Sequence, residues 1–241
     1  MGRHGTIAGR KAAQDARRSN LFTKYARAIT VAAKAGGDPG YNAALKMAID
    51  KAKGINMPND NINRAIQKGT GELAGETYEE LSFEGYGPAG VAIIVDTLTD
   101  NRNRTSSSVR SIFDKYGGNL GTPGCVAYMF SRKGLIIIEK TDEIDEDALM
   151  EAGIEAGMED MITFDDSYEI LTSVEDFPIV SDALKAAGYE FVEADVEQVP
   201  SIESTPTKEE DIKNLKKLIS ILEDNDDVQK VHHNTNIDLT V

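Results

Sequence analysis

Between residues 135 and 199 the apolar pattern alternates between strand and helix periods, and the order of those segments constrains the fold more than any other feature. Leu135 to Ile138 reads as a strand. A helix is expected near 145–156, strands near 160–164 and 168–172, a helix near 176–187 and a strand near 190–199.

That order, β-α-β-β-α-β, is the ferredoxin-like arrangement. Upstream, Val91 to Val95 is an apolar run of the kind found in a buried strand. A helix follows from about Arg102, with Val109, Ile112, Phe113 and Tyr116 on one face and Gly117-Gly118 as its stop. Val126 to Phe130 and Leu135 to Ile138 read as two strands joined at Arg132-Lys133-Gly134. After Pro200 and Pro206 comes a helix carrying Ile212, Leu215, Leu218, Ile219 and Leu222, then a last strand from Val228 to about His232. That final pair can complete the sheet begun at Val91. Residues 134–203 are then an acidic domain inserted in a domain made of 80–133 plus 204–241.

Residues 1–18 contain almost no large apolar side chains and read as a flexible basic arm. Residues 19–70 read as a three-helix domain. Its first helix starts near Ser19 or Asn20, with Leu21, Phe22, Tyr25, Ile29, Ala32 and Ala33 at helical spacing. Lys24, Arg27 and Lys34 fall within about 80° of one another on a different face, at about 100° per residue. Asp38-Pro39 is expected to open the second helix, with Ala44, Leu45, Ala48, Ile49 and Ala52 buried and Lys46 and Lys53 on the outer face. Pro58 is expected to begin the third, with Ile62, Ala65 and Ile66 inside, Arg64 and Lys68 outside, and Gly69 as its stop. Residues 69–80 read as a linker.

The chain of 241 residues has a net charge of −15, which taken alone argues against a nucleic-acid partner. The distribution reverses that. Residues 1–70 hold 13 Lys and Arg against four Asp and Glu, a net of +9, and the rest of the chain nets −24. Where charge sits, not its sum, decides which partner a surface attracts. The candidate nucleic-acid contacts are therefore Arg3, Arg10, Lys11, Arg17 and Arg18 in the arm, and Lys24, Arg27, Lys34, Lys46, Lys53, Arg64 and Lys68 on the helices.

No catalytic or metal constellation stands out. Gly85-Tyr86-Gly87-Pro88-Ala89-Gly90 spells a dinucleotide fingerprint, but its glycines lead into a strand instead of opening a helix, so it reads as a turn. The glycine-rich stretch Gly118 to Gly124 lacks the Gly-Lys-Ser/Thr that cradles a nucleotide phosphate. His232 and His233 are adjacent and, in a strand, point to opposite faces. With one cysteine, Cys125, there is neither an internal disulfide nor an evident metal set. Asp145-Glu146-Asp147 and Asp165-Asp166 suit helix starts and turns. Ser106 to Ser108 have no histidine in their sequence context. No apolar run approaches the roughly 20 residues of a membrane span. These readings give a cytoplasmic protein with no cofactor, no membrane partner, no small-molecule substrate and no enzymatic activity. One polar motif remains, Thr99 to Arg104, where a strand hands over to a helix. Asn101, Arg102, Asn103 and Arg104 either cap that helix and meet solvent or contact a phosphate or partner.

These motifs resemble the YebC family, whose members include bacterial proteins labelled transcriptional regulators and mitochondrial translational activators. The most specific match is Met57 to Gly69, reading Met-Pro-Asn-Asp-Asn-Ile-Asn-Arg-Ala-Ile-Gln-Lys-Gly; Arg10 to Ala16, Phe83 to Pro88 and Thr99 to Arg104 also match, and the likeness covers essentially the whole chain. One departure concerns the start, where many relatives carry a His-Ser-Lys-Trp-like stretch. This chain has Arg3-His4-Gly5-Thr6 and no tryptophan. The resemblance implies a non-enzymatic, nucleic-acid-linked protein of three domains. The expected fold is α+β: an N-terminal three-helix domain followed by two ferredoxin-like α/β domains, the third inserted in the second. The expected function is a DNA-binding transcriptional regulator. The alternative is a ribosome-associated translation factor that binds ribosomal RNA.

Overall fold

The computed structural model describes residues 18–239, with side chains described from Asn20 onward. Arg3, Arg10, Lys11 and Arg17 lie outside the described residues, as does the side chain of Arg18. The first domain packs α1 (Arg18–Ala33), α2 (Ala43–Gly54) and α3 (Asn59–Thr70) around Ile29, Ala33, Leu45, Ile49, Ala52 and Ile62. The second helix begins later than the Asp38-Pro39 signal suggests. Asp38 closes a local turn by accepting from Gly40 N, and Asn42 is the N-cap, its side chain accepting from Leu45 N at 3.1 Å. The same Asn42 amide donates to Ala32 O and Gly36 O, tying the end of α1 to the start of α2. Pro58 occupies the N-cap of α3.

Gly69 does not stop α3, which runs on to Thr70 with Gly71 in the left-handed conformation beyond it. Gly69 is needed for close approach instead: a Cβ there would lie 2.3 Å from Thr30 O and 2.6 Å from Ala33 Cβ.

The second domain is a four-stranded antiparallel sheet formed by β1 (Glu79–Tyr86), β2 (Ala92–Thr99), β3 (Asn119–Leu120) and β8 (Val228–His233), in the order β3-β1-β2-β8. Val91, Ile93 and Val95 pack under α4 (Arg102–Lys115) and α7 (Glu209–Asp224), against Val109, Phe113, Leu215 and Leu218. Ala92 and Ile94 point the other way and are covered by Val126 and Phe130. β1 falls in a stretch where no strand is expected from the sequence, because Gly85 interrupts its short alternation. That glycine lets β3 and Phe113 approach, since a Cβ would lie 2.6 Å from Asn119 O.

Between β3 and α7 the chain leaves this sheet and builds a second one, from β4 (Phe130–Glu139), β5 (Asp160–Thr163), β6 (Ser167–Thr172) and β7 (Glu193–Pro200), in the order β5-β6-β4-β7. With α5 (Glu146–Ala156) and α6 (Phe177–Ala186) it has the β-α-β-β-α-β order read from the sequence. Its core joins Ile136, Ile138 and Ile170 to Leu149, Phe177 and Leu184. The strand expected over Val126 to Phe130 is instead a short 3-10 turn at Ala127–Met129, and β4 runs unbroken through Arg132-Lys133-Gly134, its residues Phe130 to Ile137 pairing continuously with β7. Gly134 marks close packing there, its Cβ position lying 2.2 Å from Thr172 Oγ1 and 2.6 Å from Phe177. The molecule is therefore α+β, with helices first and two antiparallel sheets after them, the second sheet built from chain that lies between elements of the first.

Candidate nucleic-acid interface

The face of α1 that carries Lys24 and Arg27 does not meet solvent. It docks on the C-terminal end of α7, where backbone carbonyls lack partners within the helix and the helix dipole is negative. Asn20 Nδ2 donates to Asp224 O at 2.7 Å and Lys24 Nζ to Glu223 O at 2.5 Å. Arg27 donates to Asp226 O, Leu98 O and the Asp227 carboxylate, the last at 2.7 Å. Lys24 is only 7% exposed. Lys24 and Arg27 are thus corrected from nucleic-acid contacts to ties between domains. Their cations are spent on carbonyls and a carboxylate of the acidic body.

The Thr99 to Arg104 motif ends at the same place. Asn101 caps α4, its side chain accepting from Arg104 N at 3.0 Å. The Arg104 guanidinium reaches Asp100 at 2.6 Å and both oxygens of Asp227 at 3.0–3.1 Å, while Thr105 Oγ1 donates to Asp227 Oδ2 at 2.7 Å. Asp227 therefore collects Arg27 from the first domain and Arg104 and Thr105 from the second. Burial raises its pKa, but these donors outweigh burial and hold it below the usual carboxylate range. Asn101 takes the capping role that was one of its two expected roles, and Arg104 is held by carboxylates of the protein while its side chain stays 49% exposed. Arg102 and Asn103 stay exposed on the first turn of α4.

A second joint brings all three domains together. Lys51 of α2 pairs with Asp195 of β7, which also takes Lys230 of β8. Lys230 reaches Glu197 at 2.5 Å, and His232 bridges Glu197 at 3.0 Å and Asp96 at 3.1 Å. His232 thus serves this joint, with a carboxylate on each ring nitrogen. The glycine-rich stretch after Gly118 holds an anion of the protein's own: Glu84 accepts from Gly124 N, Val126 N and Ala127 N at 2.7–2.9 Å. Burial pushes the Glu84 pKa up, but the three backbone donors bring it below its ordinary value.

What the docking leaves over on the first domain is a smaller set of cations. Lys34, Lys46, Lys53, Arg64 and Lys68 are exposed, and none has a carboxylate partner among the described residues. Lys34 makes one long hydrogen bond, 3.4 Å to Tyr78 O. Arg64 and Lys68 border an open groove of ≈ 420 Å³ between α1, α3 and the chain around Tyr78. Phe22, Met57 and Ala65 contribute to its lining and Asn61 lies beside Arg64. Reading the sequence found Arg64 and Lys68 by their spacing but missed Tyr78 and Phe22, which only the fold brings to the same groove.

Two family models match the chain, the TACO1/YebC N-terminal domain over residues 3–72 and the TACO1/YebC second and third domain over residues 78–235. A probable transcriptional regulatory protein of Clostridioides difficile is 57% identical over 239 residues, covering 99% of this chain and 100% of its own. A protein of the same description from Persephonella marina is 52% identical over 230 residues, 95% of this chain and 92% of its own. Among solved structures, a conserved hypothetical protein from Aquifex aeolicus superposes with a TM-score of 0.83 at 44% identity, over 92% of this chain and 91% of that one. The matches run through all three domains and both joints, and on them the chain belongs to the TACO1/YebC family.

Proposed function

We propose that this protein regulates gene expression by binding nucleic acid through its first domain, in the cytoplasm, without catalysing a reaction. The observation that carries this reading is the division of the cations. Lys24, Arg27 and Lys51 have partners inside the molecule, whereas Lys46, Lys53, Arg64 and Lys68 are exposed with no carboxylate on them among the described residues. Exposed cations without internal partners are the groups that can neutralise phosphates. The name carried by the relatives, probable transcriptional regulatory protein, favours duplex DNA as the target. The concavity of the groove favours the second reading, a ribosome-associated translation factor. A duplex is read by a convex element that enters its major groove, whereas folded RNA offers unpaired bases that can enter a protein cleft.

The test measures binding to labelled duplex DNA and to ribosomal RNA fragments, alongside co-sedimentation with ribosomes before and after RNase. Lys46→Ala, Lys53→Ala, Arg64→Ala and Lys68→Ala combined should lower affinity at least about tenfold while leaving stability nearly unchanged, because surface positions rarely contribute more than about 0.5 kcal/mol each. Full affinity in that variant would sink the reading.

A further inference from the structure

We propose that the groove between α1 and α3 receives a single unpaired nucleotide, its base against Tyr78 and its phosphate toward Arg64 and Lys68. The proposal rests on the nucleic-acid reading above and adds the form of the ligand. Three observations support it. The first is shape: at ≈ 420 Å³ the groove lies within the roughly 300–1,000 Å³ of sites that enclose a small ligand. A lone nucleotide fits such a space, and a base pair held in a duplex does not.

The second is the wall. Tyr78 is half-buried, with the Arg27 guanidinium 5.4 Å from its ring centroid. Arg27 is itself held by Asp227 and two carbonyls, so the ring is backed by a fixed plane. The Tyr78 hydroxyl donates to Glu76 at 2.8 Å, which fixes the ring from the other end. Unpaired bases are recognised by stacking on such aromatic and guanidinium planes. Phe22 and Met57 supply apolar lining.

The third is the placement of charge. Arg64 and Lys68 are one turn apart on α3 and both line the groove, while Glu76 is the one carboxylate among its lining residues. A phosphate is repelled by Glu76 and drawn to the α3 side, which sets the orientation of the nucleotide. Asn61, one residue short of a turn before Arg64, lines the groove with an amide that has no hydrogen-bond partner among the described residues. An amide so placed offers both a donor and an acceptor to a base edge.

The experiment compares full-length protein on stems that are identical except for one bulged nucleotide, made once in RNA and once in DNA. Tighter binding to the bulged stem of either polymer supports the proposal, and a larger difference in RNA names RNA as the source. Tyr78→Ala should cut affinity for the bulged stem about tenfold, to the level of the paired stem, while Tyr78→Phe keeps the preference. A bulge carrying 4-thiouridine should crosslink to the peptide holding Tyr78 or to that holding Phe22, a readout that needs no variant to fold. Equal affinity for paired and bulged stems, lowered alike by Arg64→Ala with Lys68→Ala, would overturn the groove proposal and leave the general reading standing. Binding to neither would overturn both.

Discussion

Asp227 meets three donors from two domains with a side chain only 8% exposed. Removing it strands Arg27 and Arg104 beside each other, so Asp227→Ala should cost about 3 kcal/mol in urea unfolding, as expected when one partner of a buried ion pair is removed. A loss under about 1 kcal/mol would show that the two arginines find other partners. The joint was only half legible beforehand. Capping by Asn101 and the pairing of Arg104 with Asp100 follow from local spacing, but the other partner of Arg104, Asp227, lies 123 residues away and no local pattern points to it. The two histidines give a second test. Burial alone would lower the pKa of His232, but the carboxylates of Asp96 and Glu197 on its ring nitrogens outweigh burial, and the neighbouring Lys230, and push it up to about 9. His233 is half-buried with its Nδ1 enclosed and unpartnered, and desolvation together with the charge on His232 drives its pKa down to about 4. The signs are opposite. His232 binds its proton more tightly when folded, so its contribution is complete below about 6.5 and is lost as pH rises through about 9. His233 gives up its proton on folding, a cost absent above about 6.5 that grows as pH falls toward 4. Unfolding free energy should therefore peak near pH 6.5, with His232→Gln flattening the alkaline limb and His233→Gln the limb between pH 4 and 6.5. Stability that still climbs from pH 7 to 9 would contradict the ion-paired His232.

The helices and strands were legible where apolar periodicity is long and misread where glycine or proline served a tertiary purpose. Asp38-Pro39 has the letters of a helix start, yet Asn42 wins because its side chain can cap α2 and tie α1 at once. Gly134 looks like a turn residue but sits inside β4 against Thr172 and Phe177. Gly69 allows a quantitative comparison. In an isolated helix Gly→Ala gains about 1 kcal/mol. Here the new methyl would meet Thr30 O and Ala33 Cβ at 2.3 and 2.6 Å, and both belong to backbone or to a side chain with no freedom to retreat. Overpacking of this kind costs about 1–3 kcal/mol. Gly69→Ala should therefore destabilise the protein by up to about 2 kcal/mol in urea and push α1 from α3. A neutral or stabilising result would mean that the two helices part freely, and with them the walls of the groove.

Across the whole molecule the net charge of −15 conceals a basic first domain and an acidic body, and docking consumes part of the difference. Counting charge by segment shows the split but not which cations survive it, because Lys24 meets a carbonyl 199 residues away and Lys51 meets Asp195 of another domain. The two sets differ in a measurable way. A cation that neutralises a phosphate releases a counterion, so log affinity falls with log salt by about 0.9 per phosphate on duplex DNA and about 0.7 on a single strand. Arg64→Ala with Lys68→Ala should flatten that slope by about 1.8 on a duplex and about 1.4 on a single strand. Lys24→Met with Lys51→Met removes the same charge from the same domain, and an account based on net charge expects the same flattening. The structure gives the opposite expectation. Lys24 holds the end of α7 and Lys51 holds Asp195, so this pair should lower unfolding stability and leave the salt slope of binding unchanged. Titrating both double variants from low to moderate salt on one probe separates the two accounts. Equal flattening by both pairs would show that the domain acts by its summed charge, and that the division of its cations between joint and surface has no part in binding.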